Sequence, residues 1–577
     1  MIKQLLSCVG EYRKPAILTP LFVVGEVAME LLMPLVMASI IDTGIQGDGG
    51  IRYTILMGLL MAVMAAASLC FGALARKFCA VASTGFAKNV RNRLFDRVQD
   101  FSFSNVDRYS TASLVTRLTT DVTNTQNAFM MSLRLAVRAP VMFIGALFMA
   151  ILISPDLSSI FLFVLPVLVI AVALLGSVAF PRFREMLRQY DAMNASVQEN
   201  LIGIRVVKAF VRERHETEKF RERADAVRRA QIAAEKIMVL GMPIMQLCMY
   251  GCIVAVLWLG GKDVIGGELE LGQLSSFLQY IMQILMSLMM VCMIFIMLVL
   301  SRASVSRIAE IFSETPDIRD DAADAACTLA DGSVSFEDVS FRYDTGAGGE
   351  DVLSHISLQI ASGQTVGIIG GTGSAKTTLV QLIPRLYEVT SGTLKVGGRP
   401  VAEYPLQTLR NAVAMVLQKN VLFSGTIREN LRWGNEHATD AELEEACRAA
   451  QAHEFISSFP DGYDTELGQG GVNVSGGQKQ RLCIARALLK KPKILILDDS
   501  TSAVDTATDS KIRTAFRDDL HGTTVIMIAQ RITSVMDADQ IVVLDDGKIS
   551  ACGTHETLMQ TSEIYREVYE SQQRGEA

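Results

Sequence analysis

The chain has 577 residues, a formal net charge of −7 and a mean hydropathy of +0.31, and half of its residues are hydrophobic. Long apolar runs crowd into the first 300 positions, which predicts a membrane bundle there and a soluble domain in the remainder. No block of like charge offers the basic face that nucleic acid requires, so no nucleic-acid partner is expected. The ten cysteines are scattered singly, which favours reduced thiols over a disulfide framework or a zinc site.

The N-terminal half predicts membrane helices. Residues 1–15 are expected to form an interfacial helix, because their apolar stretch is short and no small-residue cleavage site follows it. Residues 16–312 contain apolar stretches of about 20 residues, the length that crosses ~30 Å of hydrocarbon. Six such stretches centre near 17–41, 54–75, 133–153, 158–180, 238–260 and 275–300.

The segments that follow the second and fourth spans are long and basic. Residues 76–117 hold eight Lys or Arg, residues 182–236 are more basic still, and the alternate loops carry only Arg52 and Lys262. The positive-inside rule therefore places these segments and both termini in the cytoplasm of a multi-pass protein of the inner or plasma membrane. Each segment is expected to be helical and to end in a short turn-helix, near residues 101–110 and 200–212.

Four ionisable residues fall inside the predicted spans. Glu26 and Glu30 lie four apart in the first span, and Arg134 and Arg138 lie four apart at the start of the third. Such groups usually face a cavity or one another, which leaves two interpretations open. They contact cargo or protons, or the arginines reach the interface while the glutamates pair or stay protonated in the bundle.

Residues 313–333 are acidic and Ala-rich and predict a linker, after which residues 334–577 predict an α/β nucleotide-binding domain. The run TVGIIGGTGSAKTTLVQLI (365–383) combines an apolar strand, a glycine-rich loop and a helix, the context of a phosphate-binding loop. Lys376 is expected to reach the β- and γ-phosphates, and the Thr377 hydroxyl to hold Mg²⁺. Ala375 replaces the usual last glycine, and a loop that needs only a helical conformation there accepts it. The predicted ATP loop consists of Gly370, Gly371, Thr372, Gly373, Ser374, Ala375, Lys376, Thr377 and Thr378.

An acid-bearing strand lies further along the chain. KILILDDS (493–500) has four apolar residues ending in Asp498, which fits the strand whose carboxylate orients Mg²⁺. The two motifs, in this order and in these strand contexts, predict MgATP binding.

VSGGQKQR (474–481) lies between the two motifs and makes the prediction specific. With it, the chain resembles the ABC transporter superfamily, in particular the exporter-type half-transporters that carry drugs or lipids. The resemblance covers essentially the whole chain and implies an α-helical six-span bundle fused to an α/β P-loop ABC domain. It also implies that this motif caps the γ-phosphate of ATP held by the opposite subunit, which suits free amides at a helix N-terminus. The motif residues are Ser475, Gly476, Gly477 and Gln478.

Other positions take their roles from the same resemblance. Tyr343 resembles the aromatic residue that stacks on adenine, and Gln418 the glutamine that links Mg²⁺ and the attacking water to the membrane domain. Ser502–Asp505 resembles a loop that communicates across the dimer. Residues 101–110 and 200–212 would be the coupling helices.

Two residues depart from the family at the catalytic step. Asp499 stands where the family has a glutamate base, and its side chain is one methylene too short for good reach to the attacking water. Gln530 stands where the family has a histidine, and an amide cannot carry its charge or proton. The phosphate-binding loop with Lys376, and Asp498, which are expected to bind MgATP, are retained.

This pattern resembles the degenerate subunit of heterodimeric exporters. It implies ATP-driven export of a hydrophobic or amphipathic solute, with ATP held at a hydrolysis-weak site. The SGGQ motif would serve the competent site of a different half-transporter, one with Glu and His at the two departing positions. Two alternatives stay open: a homodimer of low ATPase activity that uses Asp499 as its base, and a regulatory membrane subunit that binds ATP without transporting.

Overall fold

A computed structural model describes residues 2–320, 323–324, 327–343, 349–499 and 504–576. The described residues form two compact units. The first comprises Met1–Arg97 and Leu114–Ser313, and the second Val98–Ser113 and Glu314–Ala577. The stretch around residue 105, on the first long basic segment, thus groups with the C-terminal unit.

Long apolar runs make the first part of the chain almost entirely helical. Six of its helical segments, counted among the described residues, are long and apolar enough to span a membrane, which confirms the predicted six-span bundle. The helices are α1 Ile2–Ser7, α2 Arg13–Ser39, α3 Gly50–Gln99, α4 Phe103–Arg108, α5 Thr111–Thr116, α6 Val122–Ile153, α7 Pro155–Ser158, α8 Ile160–Ile202, α9 Ile204–Ala209, α10 Glu213–Met238, α11 Gly241–Gly266 and α12 Leu271–Ser313.

The core of the bundle brings α2 against α12. Tyr280 and Ser276 of α12 are fully buried, and their hydroxyls donate to the Leu31 and Pro34 carbonyls at 2.6 and 2.5 Å. These bonds lie beside Pro34, whose ring removes one backbone N–H from helix α2. The two hydroxyls therefore add polar contacts at a place where the helix has one backbone hydrogen bond fewer. The outward faces stay apolar, as with Leu162 and Phe163, each 75% exposed, which suits contact with lipid.

The charged residues of the first and third spans pair with one another. Arg138 lies 2.8 Å from a Glu26 oxygen and donates to Glu30 at 2.7 Å. Arg134, one turn away, has a buried Nε with no hydrogen-bond partner among the residues that the structure describes. The pairing interpretation therefore applies to Arg138 and both glutamates, which join α2 to α6.

Removing Arg138 is expected to destabilise the bundle strongly. Arg138→Leu leaves two carboxylates without their shared cation, a loss of roughly 3 kcal/mol for a buried pair broken on one side. Arg134→Leu is the matched control and should cost far less, since the buried Nε of Arg134 has no hydrogen-bond partner within the described residues. Thermal unfolding of both variants in the same detergent checks this. Equal losses would mean that the pairing does not hold α2 to α6.

The C-terminal unit is built on two larger sheets and a two-stranded pair within the described residues. A six-stranded sheet has the order β12-β11-β3-β10-β9-β6, with β11, β3, β10, β9 and β6 parallel, and a four-stranded antiparallel sheet has the order β2-β1-β4-β5. The strands are β1 Val334–Phe341, β2 Leu353–Ile360, β3 Thr365–Gly370, β4 Ser391–Val396, β5 Arg399–Pro400, β6 Val413–Val416, β7 Gly425–Thr426, β8 Glu466–Leu467, β9 Ile494–Asp498, β10 Thr524–Ile528, β11 Gln540–Asp545 and β12 Lys548–Gly553.

Helices cover the parallel sheet and complete its core. Strand β9, flanked by β10 and β6, is buried along its whole length, as its unbroken apolar run predicts. The helices are α13 Lys376–Leu382, α14 Leu406–Ala412, α15 Ile427–Arg432, α16 Asp440–Ala449, α17 His453–Ser457, α18 Gly476–Leu488, α19 Thr506–Asp519, α20 His555–Thr561 and α21 Glu563–Glu576.

Candidate nucleotide site

The parallel sheet brings several of the predicted site residues to one edge. The carboxyl ends of β3, β10, β9 and β6 lie side by side, and the segments that follow them carry the glycine-rich loop, Gln530, Asp499 and Gln418. This edge is where open α/β sheets bind ligands. Segments far apart in the chain therefore meet because their strands are neighbours.

The lysine of the glycine-rich loop is held by the loop itself. The Lys376 ammonium donates to the Gly370 and Gly371 carbonyls at 2.9 and 2.7 Å and to the Ser374 hydroxyl at 3.3 Å. Burial lowers the pKa of Lys376, and the charges of Asp499 and Asp498 oppose that shift. The loop thus presents a desolvated cation at the start of α13, where a helix N-terminus already favours anions.

Position 375 does not have the conformation expected from the sequence. Ala375 has φ +68° and ψ 23°, which is left-handed, so the expectation of a helical residue there is wrong. The loop must reverse before α13 begins, and this turn favours glycine because a Cβ clashes in the left-handed region. Alanine is tolerated at an energetic cost.

Ala375→Gly is expected to stabilise the nucleotide-binding unit by roughly 0.5–1 kcal/mol. The gain from relieving the left-handed alanine, about 1–2 kcal/mol, is partly offset by the greater freedom of glycine in the unfolded chain. Scanning calorimetry should show a higher melting temperature. Ala446→Gly, within helix α16, is the control and should lower it. A loss of stability in Ala375→Gly would contradict the claim that the left-handed backbone of Ala375 is strained.

Two of the residues predicted to hold Mg²⁺, Thr377 and Asp498, contact each other directly. The Thr377 hydroxyl donates to Asp498 Oδ1 at 2.9 Å. Asp498 Oδ2 is buried and has no hydrogen-bond partner among the described residues. Burial raises the pKa of Asp498, and the Thr377 hydrogen bond opposes this shift. A buried carboxylate oxygen with a spare lone pair, beside a hydroxyl, fits a hard cation with oxygen ligands.

The two departing residues are hydrogen-bonded to each other. The Gln530 amide, two residues beyond β10, donates to Asp499 Oδ2 at 2.8 Å. Asp499 follows β9 with φ +50°, a left-handed conformation that Asp tolerates better than most residues, and its carbonyl accepts from Gln480 at 3.3 Å. The carboxylate predicted to be a poor base is therefore hydrogen-bonded to the amide of Gln530, which stands where the family has a histidine. Sequence spacing alone did not reveal this contact.

Tyr343 and Gln418 flank the loop. The Tyr343 hydroxyl is 2.9 Å from the Thr378 hydroxyl, which brings its half-buried ring beside α13. Gln418, two residues after β6, has an exposed side chain, and its backbone helps to favour the ionised form of Asp498. Tyr387 was not predicted and packs edge-on against Tyr343, with ring centroids 5.2 Å apart. A lone tyrosine after the loop helix gave no signal beyond ordinary core packing.

The SGGQ motif forms the N-terminus of α18. The Ser475 hydroxyl accepts from the Gln478 backbone at 3.3 Å, and the Gln478 side chain accepts from the Ser475 backbone at 2.8 Å. This capping box leaves the amides of Gly476 and Gly477 at the helix tip. Ser502 and Ala503 of the predicted communication loop lie outside the described residues.

Fold and site together define a membrane protein with a P-loop ATP-binding domain. Residues 16–289 match the family model for the ABC transporter transmembrane region, and residues 353–502 match the model for the ABC transporter domain. The chain belongs to the ABC transporter family, as an exporter-type half-transporter that carries both domains in one chain.

Its relatives extend this similarity over the full length. It is 37% identical over 574 residues to the uncharacterised ABC transporter ATP-binding protein YfiB of Bacillus subtilis, covering 99% of this chain and 98% of that one. It is 32% identical over 489 residues to the ATP-dependent lipid A-core flippase of Desulfotalea psychrophila, covering 84% of each. A bacterial Atm1-family ABC exporter solved with ATP bound superposes with a TM-score of 0.83 at 25% identity, covering 97% of this chain and 98% of that one.

Proposed function

We propose that this chain is one half of a heterodimeric ABC exporter. It holds MgATP at a site of weak hydrolysis and lends Ser475–Gln478 to the competent site of a different half-transporter. One observation carries this proposal: Asp499 and Gln530 bond to each other at 2.8 Å, while Lys376, Thr377 and Asp498 keep their binding arrangement. Binding and hydrolysis are thereby separated within one site.

The binding residues act on different parts of the nucleotide. Tyr343 supports the adenine, the loop amides and Lys376 hold the phosphates, and Gln478 with its neighbours caps the ATP of the partner. Mg²⁺ bound by Thr377 and Asp498, with Gln418 nearby, neutralises phosphate charge when present. The Gln530 amide donates to Asp499 Oδ2, so that oxygen is less available to accept a proton from water. This hydrogen bond, added to the short reach of Asp499, is the reason we give for slow hydrolysis at this site.

The cargo is proposed to be a hydrophobic or amphipathic solute, with the bundle as its path. The names of a lipid A-core flippase and an exporter among the similar proteins support this class. The positive-inside distribution supports an inner or plasma membrane location, with the nucleotide-binding domain and both termini in the cytoplasm.

An exposed helix on the second basic segment supports a partner chain. Helix α9 and its flanks present Val206, Phe210 and Val211 at 60%, 74% and 80% exposure. Apolar side chains on a cytoplasmic segment require a cover. We assign that cover to the nucleotide-binding domain of the partner, which makes residues 200–212 the second coupling helix.

The test is ATP turnover by this chain purified alone and reconstituted in lipid, measured beside Lys376→Ala. Turnover equal to that of the variant, with nucleotide binding retained by the unmodified chain, is the expected result. Brisk turnover that Lys376→Ala removes would mean that Asp499 and Gln530 suffice for hydrolysis, and the homodimer would replace the heterodimer.

A further inference from the structure

Tyr387 lies between helix α4 and Tyr343, the residue proposed to stack on adenine. Its side chain is 9% exposed, and its ring stands edge-on to Tyr343 at 5.2 Å and 88°. On its other side the ring meets Phe103 of α4 edge-on, with centroids 5.9 Å apart. One buried ring therefore touches both neighbours.

The hydroxyl of Tyr387 adds a directional contact. It donates to Asp107 Oδ2 on α4 at 2.5 Å. Burial raises the pKa of Tyr387, and the hydrogen bond and charge of Asp107 add to that shift, so the phenol stays protonated and remains a donor. A hydrogen bond to a charged acceptor is about twice as strong as one between neutral groups.

Helix α4 is fixed on its other flank by the segment that follows α12. Asn105 and Tyr109 donate to the Glu314 carboxylate at 3.0 and 2.9 Å, and Ser104 donates to Asp317 at 2.6 Å. Those bonds hold α4 to the residues that follow α12 and do not involve the predicted nucleotide-binding residues. Tyr387 contacts both Phe103 of α4 and Tyr343, whose ring lies beside helix α13.

We propose that Tyr387 is a positioning residue that couples occupancy of the nucleotide site to helix α4, through its edge contact with Tyr343 and its hydrogen bond to Asp107. The inference rests on the proposed function, because it takes Tyr343 as the residue that stacks on adenine. Adenine stacked on Tyr343 restricts the motion of the Tyr343 ring, and that ring in turn restricts the motion of the Tyr387 ring. The hydrogen bond from the Tyr387 hydroxyl to Asp107 then restricts the motion of α4.

The close packing gives this path its physical basis. Tyr343 contacts Tyr387 and Phe341, and its hydroxyl meets Thr378, one residue past the Mg²⁺-binding Thr377. Packed interiors transmit small displacements because they lack free volume. The hydrogen bond to Asp107 converts that packing into a restraint on a partly exposed helix, which otherwise opens readily.

The experiment is hydrogen exchange on the full reconstituted chain, with and without MgATP. Two peptides are followed, one over residues 365–383 of the loop and one over residues 101–110 of α4. In the unmodified chain MgATP should protect both. In Tyr387→Phe and in Asp107→Ala the loop should stay protected, while protection of α4 by nucleotide falls about tenfold or more, the scale of losing a hydrogen bond to a charged acceptor.

Three further variants separate coupling from stability. Asp107→Asn keeps an acceptor oxygen but loses the charge, so its α4 response should lie between those of the unmodified chain and of Asp107→Ala. The double variant Tyr387→Phe/Asp107→Ala should match either single variant, since one bond is lost in all three. Tyr404→Phe removes another buried tyrosine hydroxyl, bonded to the Val396 carbonyl, and should change neither response.

Each outcome is decisive. A response of α4 that survives in Tyr387→Phe and Asp107→Ala overturns the inference, as does a protected loop with an unresponsive α4 in the unmodified chain. A loop that MgATP fails to protect in the unmodified chain contradicts nucleotide binding itself, and the inference falls with the proposed function.

Discussion

The double variant Asp499→Glu/Gln530→His should raise ATP turnover at this site by about a hundredfold. A glutamate extends the carboxylate by one methylene toward the water, and a histidine releases it from the amide that now holds it at 2.8 Å. A well-placed general base contributes roughly 10²–10⁴-fold to the rate. The measurement is phosphate release by the reconstituted chain, at saturating MgATP.

The single variants serve as the comparison. Gln530→His leaves the carboxylate short, and Asp499→Glu leaves the amide in place as a donor, so each should gain much less than the pair. Such non-additivity is typical of residues in direct contact. If one single variant reached the rate of the double, the contact between positions 499 and 530 would not account for the slow hydrolysis that we propose.

Lys376→Ala is expected to weaken MgATP binding by at least about a hundredfold, the largest loss of affinity predicted for this site. The ammonium is desolvated and held by carbonyl groups, so its removal leaves the phosphates without their main cation in a partly buried site. Equilibrium binding of a fluorescent ATP analogue to the reconstituted chain measures the change.

A second lysine provides the control. Lys395 pairs with Glu337 on the four-stranded sheet, away from the loop, and Lys395→Ala should bind nucleotide as the unmodified chain does. A surface pair of this kind contributes about 1 kcal/mol or less to stability, so folding should be little affected. Equal affinity for the nucleotide in Lys376→Ala and in the unmodified chain would contradict the role of Lys376 and its loop in binding the phosphates.

Much of the molecule could be predicted because local patterns report local physics. Apolar runs of membrane length predict the six helices, since each must satisfy its own backbone in lipid. The strand–loop–helix pattern around Lys376 and the acid-terminated strand before Asp499 predict the nucleotide domain. Local reasoning failed at Ala375, whose left-handed conformation depends on how the loop joins strand to helix and not on residue type.

The sequence by itself determined the fold class and the family and supplied a set of candidate binding residues, because these depend on composition, periodicity and motif spacing. Only the tertiary structure decided which side chains meet. Strand order brings Gln530 to Asp499, helix packing brings Arg138 to two glutamates, and the fold sets Tyr387 between Tyr343 and Asp107. Such contacts join residues 31 to 280 positions apart in the chain, and no local pattern encodes them.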